Sequence, residues 1–192
     1  MNKFEKISAM INNTPMLEIS LKYQGLRRKV YAKAEYYNFT GSIKDRIAYN
    51  ILKYSYEAGL IKKGDIIAEA SSGNTGIAFS AMGAFLENPV HIFMPDWMSE
   101  ERKKLLESFG ATIHLVSKKD GGFKGSVESA DKFGAENNAF LPHQFSNLLN
   151  AETHYKTTGA EILRQLDAIG KKPDGFVAGV GTGGTIMGVK NA

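Results

Sequence analysis

The chain has 192 residues, of which 43% are hydrophobic and 23% charged, enough for one sizeable domain or two small ones with a buried core. This composition excludes a chain that is disordered throughout, and no window offers the roughly 20 unbroken apolar residues of a membrane span. Cysteine is absent and the net charge of +4 is spread along the chain, so we expect no disulfide, no thiolate metal site and no nucleic-acid partner.

Charged and histidine positions add few further expectations. The first ten residues carry Lys3, Glu5 and Lys6, which excludes the apolar core of a signal peptide, and we expect a cytoplasmic protein. The densest basic cluster predicts a solvent-exposed turn, since nothing aromatic or helical organises it. It consists of Lys22, Arg27, Arg28 and Lys29. The histidines lack a metal-ligand spacing and are interpreted as strand, loop and surface residues. They are His91, His114, His143 and His154.

Short apolar runs bounded by glycine, proline or polar turns predict buried strands along the chain. They are residues 30–34, 66–70, 90–94, 112–116, 139–141 and 175–178. Helical patterns lie between them, at residues 42–58, 75–86, 99–109, 123–133 and 151–166. Ile43, Ile47 and Ile51 share one face of the first helix, whereas Ser99 and Gly110 are typical cap residues of the third. This alternation predicts an α/β fold with a mainly parallel sheet.

Ligands bind α/β folds where strands end and helices begin, and a first such turn is TGSIKDR at residues 40–46. Lys44 falls in the first turn of its helix, next to the positive end of the helix dipole. That field lowers the pKa of the amine and makes Lys44 a candidate nucleophile or base. The alternative is a solvent-exposed lysine balanced by Asp45.

A second turn, SSGNTG at residues 71–76, follows the strand at 66–70 directly and opens a helix. Its backbone amides and hydroxyls are suited to a carboxylate or a phosphate. The alternative is a helix cap rich in serine and asparagine, in which glycine eases the turn.

A third turn, GVGTGGT at residues 179–185, follows the strand predicted at 175–178. Its packed amides and threonine hydroxyls form a good phosphate cup. It also matches the G-x-G-x-x-G dinucleotide fingerprint, which belongs in a first βαβ unit with an acidic residue about 20 positions later. The chain ends at Ala192, so a smaller phosphorylated ligand is favoured. A phosphate cup, an anion-binding turn and a reactive lysine together suggest pyridoxal 5′-phosphate, whose substrates are amino acids.

At these residues the sequence resembles the cysteine synthase (O-acetylserine sulfhydrylase) family of fold-type II pyridoxal-phosphate enzymes. The resemblance rests on the three turns and on further motifs in the same order along the whole chain. These are NTPM at 13–16, MPDWMS at 94–99 followed by ER at 101–102, QFSN at 144–147, and KTTG at 156–159 followed by Glu161.

The resemblance implies roles for individual residues. Lys44 would form the Schiff base with the cofactor and act as base at the substrate Cα, and Asn74 would bind the ring hydroxyl. The phosphate would be bound by Gly181, Thr182, Gly183, Gly184 and Thr185. The substrate carboxylate would be surrounded by Ser71, Ser72, Gly73, Thr75 and Gln144. No metal is implied, and the reaction would be β-replacement, making cysteine from O-acetylserine, or a related activated serine, and sulfide.

The resemblance also implies a two-domain, tryptophan-synthase-β-like fold and a homodimer. Residues 38–146 would form a smaller α/β domain, and residues 1–37 with 147–192 a partial larger domain that binds the cofactor phosphate. Family members continue well beyond the phosphate loop, so the larger domain would be incomplete and a complementing C-terminal segment is a candidate partner. Two local departures are Phe39, where proline is frequent, and residues 189–192, which depart from the expected helix.

Three hypotheses therefore stay open. The first is a cysteine-synthase-like enzyme, and the second is a truncated, non-catalytic paralogue or fragment that binds a ligand or a partner subunit. The third is an NAD-dependent oxidoreductase, which the context of the glycine turn disfavours. A visible spectrum recorded with added pyridoxal phosphate would separate them.

Overall fold

The computed structural model describes residues 2–192, which form two separate sheets and a set of helices. The strands are β1 (Met16–Tyr23), β2 (Leu26–Lys33), β3 (Ile67–Ala70), β4 (Val90–Pro95) and β5 (Thr112–Val116). The helices are α1 (Lys3–Ser8), α2 (Lys44–Glu57), α3 (Asn74–Leu86), α4 (Glu100–Ser108), α5 (Gly122–Asn137), α6 (Leu149–His154), α7 (Ala160–Asp167) and α8 (Gly184–Lys190). A 3₁₀ turn occupies Glu35–Tyr37, and a π turn at Tyr155–Gly159 joins α6 to α7.

The larger sheet is parallel, with strand order β3-β4-β5. Ile67 pairs with Val90 and Ile92 with Ile113, and α3 and α4 form the crossovers between the strands. This βαβ arrangement confirms the predicted α/β class and parallel sheet. The strand predicted at 139–141 is reduced to a single parallel bridge between Phe140 and Ile67.

Helices cover both faces of this sheet, as parallel sheets require. Ile92 of β4 points into a core with Phe79 and Met82 of α3, and all three are buried. The next residue, Phe93, points to the opposite face, where it packs with Ala130 of α5. Successive strand residues thus serve two cores, which fixes the register of the sheet between the helix layers.

Strands β1 and β2 form a separate antiparallel hairpin, which corrects the buried strand predicted at 30–34. Residues opposite each other share a face, and Leu17, Ile19 and Leu21 lie on the same exposed face as Val30. Among the described residues β2 pairs with β1 only, so its apolar side chains stay open to solvent. The basic cluster at 22 and 27–29 flanks the tip of the hairpin and is exposed, as predicted.

The last 40 residues depart from the predicted elements in several places. Residues 175–178 form no strand, and Val177 is 95% exposed, because the described residues offer this segment no neighbouring strand. We expected residues 189–192 to depart from a helix. Helix α8 runs to Lys190, so this expectation is wrong for residues 189 and 190. The helix predicted at 151–166 is divided by the π turn.

The two residues predicted to cap α4 differ in the structure. Gly110 adopts the left-handed conformation with φ of 78°, which is typical of the residue after a helix C-terminus. The Ser99 side chain makes no capping hydrogen bond to α4. Within residues 2–192 no helix is both long and apolar enough to cross a bilayer. The division into domains at residues 38 and 146 stays a prediction.

Candidate active site

The three predicted turns meet around one cleft of about 400 Å³. Its wall includes Lys44 from the start of α2, residues 71–75 from the end of β3 and start of α3, and Gln144. From the third turn, Gly181 and Thr182 line the cleft, whereas Gly183, Gly184 and Thr185 lie outside its lining. The cleft thus brings together most of the predicted site residues at the carboxyl end of β3, where α/β folds bind ligands.

Lys44 begins α2 and is half-buried, and its side-chain amine makes no hydrogen bond or ion pair within the described part of the chain. Burial lowers the pKa of this amine, in the direction that the sequence predicted. Asp45 is fully buried and accepts hydrogen bonds from the backbone amide (2.8 Å) and hydroxyl (2.5 Å) of Thr40. The alternative of a solvent-exposed lysine balanced by Asp45 is therefore wrong.

Arg46, two residues further on, anchors α2 through a buried ionic cluster. Its guanidinium is fully buried and binds both carboxylate oxygens of Glu35 (2.7 and 2.8 Å) and of Glu161 (2.8 Å each). Lys33 adds a second cation, 2.8 Å from Glu161. Burial alone would raise the pKa of Glu161, but the hydrogen bonds from Arg46 and Lys33 outweigh it and hold the pKa at about 2. The cluster ties α2, and with it Lys44, to the hairpin and to α7.

The SSGNTG turn is both a helix cap and a wall of the cleft. The Ser71 hydroxyl accepts a 2.8 Å hydrogen bond from the amide of Gly76 and a 3.3 Å bond from the amide of Gly73, so it closes the turn. The amide of Asn74 begins α3, but its side chain is exposed and makes no hydrogen bond within residues 2–192. Asn74 is thus available to a ligand in the cleft, and its predicted role stays a prediction, whereas Ser71 is engaged by the protein.

Gln144 is buried and held by β3 and by the start of α3. It accepts a 2.7 Å hydrogen bond from the Thr75 hydroxyl and donates one of 2.7 Å to the carbonyl of Ala70. Its backbone amide donates to the carboxyl of Glu69 (3.2 Å), which the amide of Ala70 also reaches at 3.0 Å. Burial raises the pKa of Glu69 to about 8. Sequence reasoning missed Glu69, although an acidic residue inside an apolar strand run was a visible signal.

The third turn packs closely on α6. A Cβ on Gly184 would overlap the side chain of Asn150, which explains why glycine is needed there. The Asn150 amide nitrogen donates to Thr182 Oγ1 and to the Gln144 carbonyl, at 2.8 and 2.9 Å. In the described residues the backbone amides of 181–183 donate no hydrogen bond, which leaves them to a ligand.

His154 corrects one sequence interpretation. It is 1% exposed rather than a surface residue, and it lies between the hydroxyls of Thr158 (2.9 Å from Nδ1) and Thr185 (3.2 Å from Nε2). Burial, with smaller contributions from the charges of Lys44 and Arg46, lowers its pKa to about 4. Asn150 and His154 were not predicted as site residues, although their four-residue spacing places them on one helix face.

The donors around the cleft fit pyridoxal 5′-phosphate. A partner-free, half-buried amine suits an aldehyde, and free amides beside the hydroxyl of Thr182 suit a phosphate. The start of α3 adds the positive end of a helix dipole on the third side. The cleft therefore offers separate places for an aldehyde, a phosphate and a carboxylate.

Comparison with known proteins places this site in a family. The model of the family described as "Pyridoxal-phosphate dependent enzyme" matches residues 7–192. A hydrogen sulfide-producing enzyme from Fusobacterium nucleatum shares 56% sequence identity and a TM-score of 0.95, over 98% of this chain and 57% of that one. An O-ureido-L-serine synthase shares 35% identity and a TM-score of 0.86, over 95% of this chain and 57% of that one.

A cysteine synthase of Staphylococcus aureus is 40% identical over 185 residues, which are 96% of this chain and 59% of that relative. This chain therefore spans less than two thirds of the length of these relatives. The family match covers nearly the whole chain, and it agrees with the motifs and with the donors of the cleft. The chain belongs to the pyridoxal-phosphate dependent enzyme family.

Proposed function

We propose that the chain carries the active-site cleft of a β-replacement enzyme. Its substrates would be sulfide and O-acetylserine, and its products cysteine and acetate. With a related activated serine in place of O-acetylserine, the product would again be cysteine, with the corresponding leaving group released. The observation that carries the proposal is the partner-free amine of Lys44 in a cleft that also holds the SSGNTG turn, Gln144 and part of the glycine turn. Relatives named cysteine synthase support this substrate class, and the relative named hydrogen sulfide-producing enzyme also handles sulfide, there as a product.

In this proposal the residues divide by the part of the cofactor that they hold. Lys44 bonds the aldehyde, Asn74 contacts the ring hydroxyl, and residues 181–185 hold the phosphate. When bound, pyridoxal 5′-phosphate supplies an electron-accepting ring conjugated to the amino group of the substrate. Once the amino group of the substrate had replaced Lys44 at the aldehyde carbon, the Lys44 amine would be free, and its lowered pKa would leave more of it uncharged, so that Nζ could take the proton from the substrate Cα.

The substrate carboxylate would bind between the SSGNTG turn and Gln144, against the amides at the start of α3. Ser72 and Gly73 are only half-buried there, whereas Thr75 and Gln144 are buried and bonded to each other. Binding through Gln144 Nε2 would require it to leave the Ala70 carbonyl. The carboxylate site is therefore expected to rearrange when substrate enters.

The test uses the full chain mixed with pyridoxal 5′-phosphate. Wild type should acquire a visible absorbance band and release cysteine from O-acetylserine and sulfide, and Lys44→Ala should do neither. Lys53→Ala, on the exposed side of the same helix, is the matched control and should behave as wild type. A Lys44→Ala variant that keeps the band would show that another lysine binds the aldehyde.

A second candidate is a chain that binds the cofactor without turnover, which the engagement of Gln144 by Thr75 and by the Ala70 carbonyl favours. A wild type with the absorbance band but no cysteine release would support it, whereas a wild type without the band would contradict both candidates. The third hypothesis, an NAD-dependent oxidoreductase, is wrong, because the chain matches a pyridoxal-phosphate family.

We further propose a homodimer, with a complementing C-terminal segment as a second candidate partner. The support is the exposed apolar face of the hairpin, where Leu17, Ile19 and Val30 are each more than 40% exposed. Such a face favours association. Sedimentation should show self-association of wild type that Ile19→Lys reduces, while Ser20→Lys on the opposite face leaves it unchanged; a monomeric wild type would contradict the proposal.

A further inference from the structure

Helix α6 presents two polar side chains, one turn apart, to the two threonines of the glycine turn. Asn150 reaches Thr182 Oγ1, and His154 reaches Thr185 Oγ1. Both side chains are buried, at 4% and 1% exposure. Gly184 and Gly188 make the approach possible, because a Cβ on either would overlap α6.

The direction of the first hydrogen bond is fixed by a third group. Asn150 Nδ2 also donates to the Gln144 carbonyl, which accepts only, so the amide nitrogen must face both partners. Thr182 Oγ1 is therefore an acceptor toward Asn150. Its own proton is left to point elsewhere, and Thr182 lines the cleft.

The second hydrogen bond allows two directions, of which one serves an anion. Neutral histidine has one N–H and one acceptor nitrogen. With the proton on Nδ1, the Thr185 hydroxyl must donate to Nε2 and presents only lone pairs to a ligand. With the proton on Nε2, Thr185 accepts from His154, and the Thr158 hydroxyl donates to Nδ1. Thr185 then keeps its proton, as Thr182 does.

We propose that Asn150 and His154 are positioning residues that donate to Thr182, in the wall of the cleft, and to Thr185, in α8 outside that lining, and so leave both threonine hydroxyls as donors for a phosphate group. The inference rests on the proposed function for the identity of the phosphate, that of pyridoxal 5′-phosphate. It goes further in assigning the Nε2–H tautomer to His154 and a role to a helix that lies behind the cleft.

The matched variants at His154 differ only in which ring nitrogen they replace. His154→Gln places an amide near Nε2 and can still donate to Thr185, whereas His154→Asn reaches only as far as Nδ1. We expect His154→Asn to weaken binding of pyridoxal 5′-phosphate about tenfold, the loss of one hydrogen bond to a charged group, and His154→Gln to stay within about threefold of wild type.

Pyridoxal, which lacks the phosphate, is the matched ligand. Its binding should be equal in wild type and both variants. An equal loss for the two ligands would mean that His154 supports the whole cleft, and it would overturn the inference. Asn150→Asp should likewise weaken only the phosphorylated ligand, and Asn147→Asp, with the same charge change on a residue bonded to Pro142, controls for charge.

The tautomer is tested without any ligand. Nitrogen-15 NMR of the labelled full chain, with the His154 signal assigned by its absence in His154→Gln, should show Nε2 protonated and Nδ1 as acceptor. A proton on Nδ1 would overturn the inference even if every variant still folds.

Inorganic phosphate separates this inference from the proposed function. Phosphate binding by wild type that His154→Asn loses, without a visible band from pyridoxal 5′-phosphate, would support the positioning role and contradict the enzyme. A visible band with equal affinity in all variants would support the cofactor and contradict the positioning role. A wild type that binds neither ligand would overturn both.

Discussion

The hydroxyl of Thr75 donates a 2.7 Å hydrogen bond to the side-chain oxygen of Gln144, which lies 69 residues later in the chain. Both side chains are buried. This bond joins the start of α3 to the loop after α5, and it closes one side of the cleft. The bond therefore fixes the orientation of the Gln144 side chain before any substrate enters the cleft.

Replacing Thr75 by valine should destabilise the chain, because it leaves the buried oxygen of Gln144 without a donor. The expected loss in the free energy of unfolding is about 1–3 kcal/mol. Thr75→Ser keeps the hydroxyl and is the matched control. Urea unfolding followed by circular dichroism measures both, and equal stability of the valine variant and wild type would contradict the role of this bond.

Asn74 should behave in the opposite way. Its side chain is exposed and unbonded within the described residues, so Asn74→Ala should change the free energy of unfolding by no more than about 0.5 kcal/mol. If Asn74 orients the cofactor ring, the variant keeps a shifted visible band and loses most of its turnover. An unchanged spectrum and rate would mean that Asn74 begins α3 but has no role in orienting the cofactor.

Removing the guanidinium of Arg46 should be among the most destabilising single changes. Arg46→Met leaves Glu35 and Glu161 buried with only Lys33 as a cation nearby, and breaking such a pair costs about 3–5 kcal/mol. Lys29→Met, which breaks the exposed pair with Glu18, should cost much less, because water screens this pair. Thermal or urea unfolding of the two variants compares them directly, and similar losses would disprove the importance of burial.

The buried carboxyl of Glu69 predicts a pH dependence of stability. Its pKa is about 8 in the folded chain, against 4.5 ordinarily, so between these values the folded state holds a proton that the unfolded state releases. Raising the pH through this window must therefore lower stability, by at most about 1.4 kcal/mol per pH unit. Glu69→Gln cannot ionise, and the difference in stability between wild type and variant should change with pH between 4.5 and 8. A constant difference would show that Glu69 titrates normally.

Sequence reasoning predicted the turns well because their chemistry is local. Lys44, residues 71–75 and Gln144 line one cleft, although only residues 71–75 directly follow a strand of the parallel sheet. The hairpin was predicted less well, although β1 alternates Leu17, Ile19 and Leu21 with polar residues, the pattern of a strand with one polar face. The run at 175–178 has strand composition, but the described chain supplies no strand beside it.

The buried polar contacts could not be predicted, because their partners are distant in sequence. Arg46 binds Glu35, 11 residues away, and Glu161, 115 residues away. His154 bonds to a threonine 31 residues later. No spacing rule connects such pairs, and only the packing of α2, α6 and α8 reveals which polar residues are buried together.

The π turn at Tyr155–Gly159 makes this segment sensitive to length as well as to composition. Each residue turns an α-helix by about 100°, so the extra residue of a π turn rotates everything after it by that angle. Before the turn His154 faces Thr185, and after it Glu161 faces Arg46. Deleting one residue here would restore a regular helix but turn one of these side chains away from its partner. We therefore expect an insertion or deletion within residues 155–159 to disrupt the fold. Substitutions of the exposed side chains of Tyr155 and Lys156 should be tolerated.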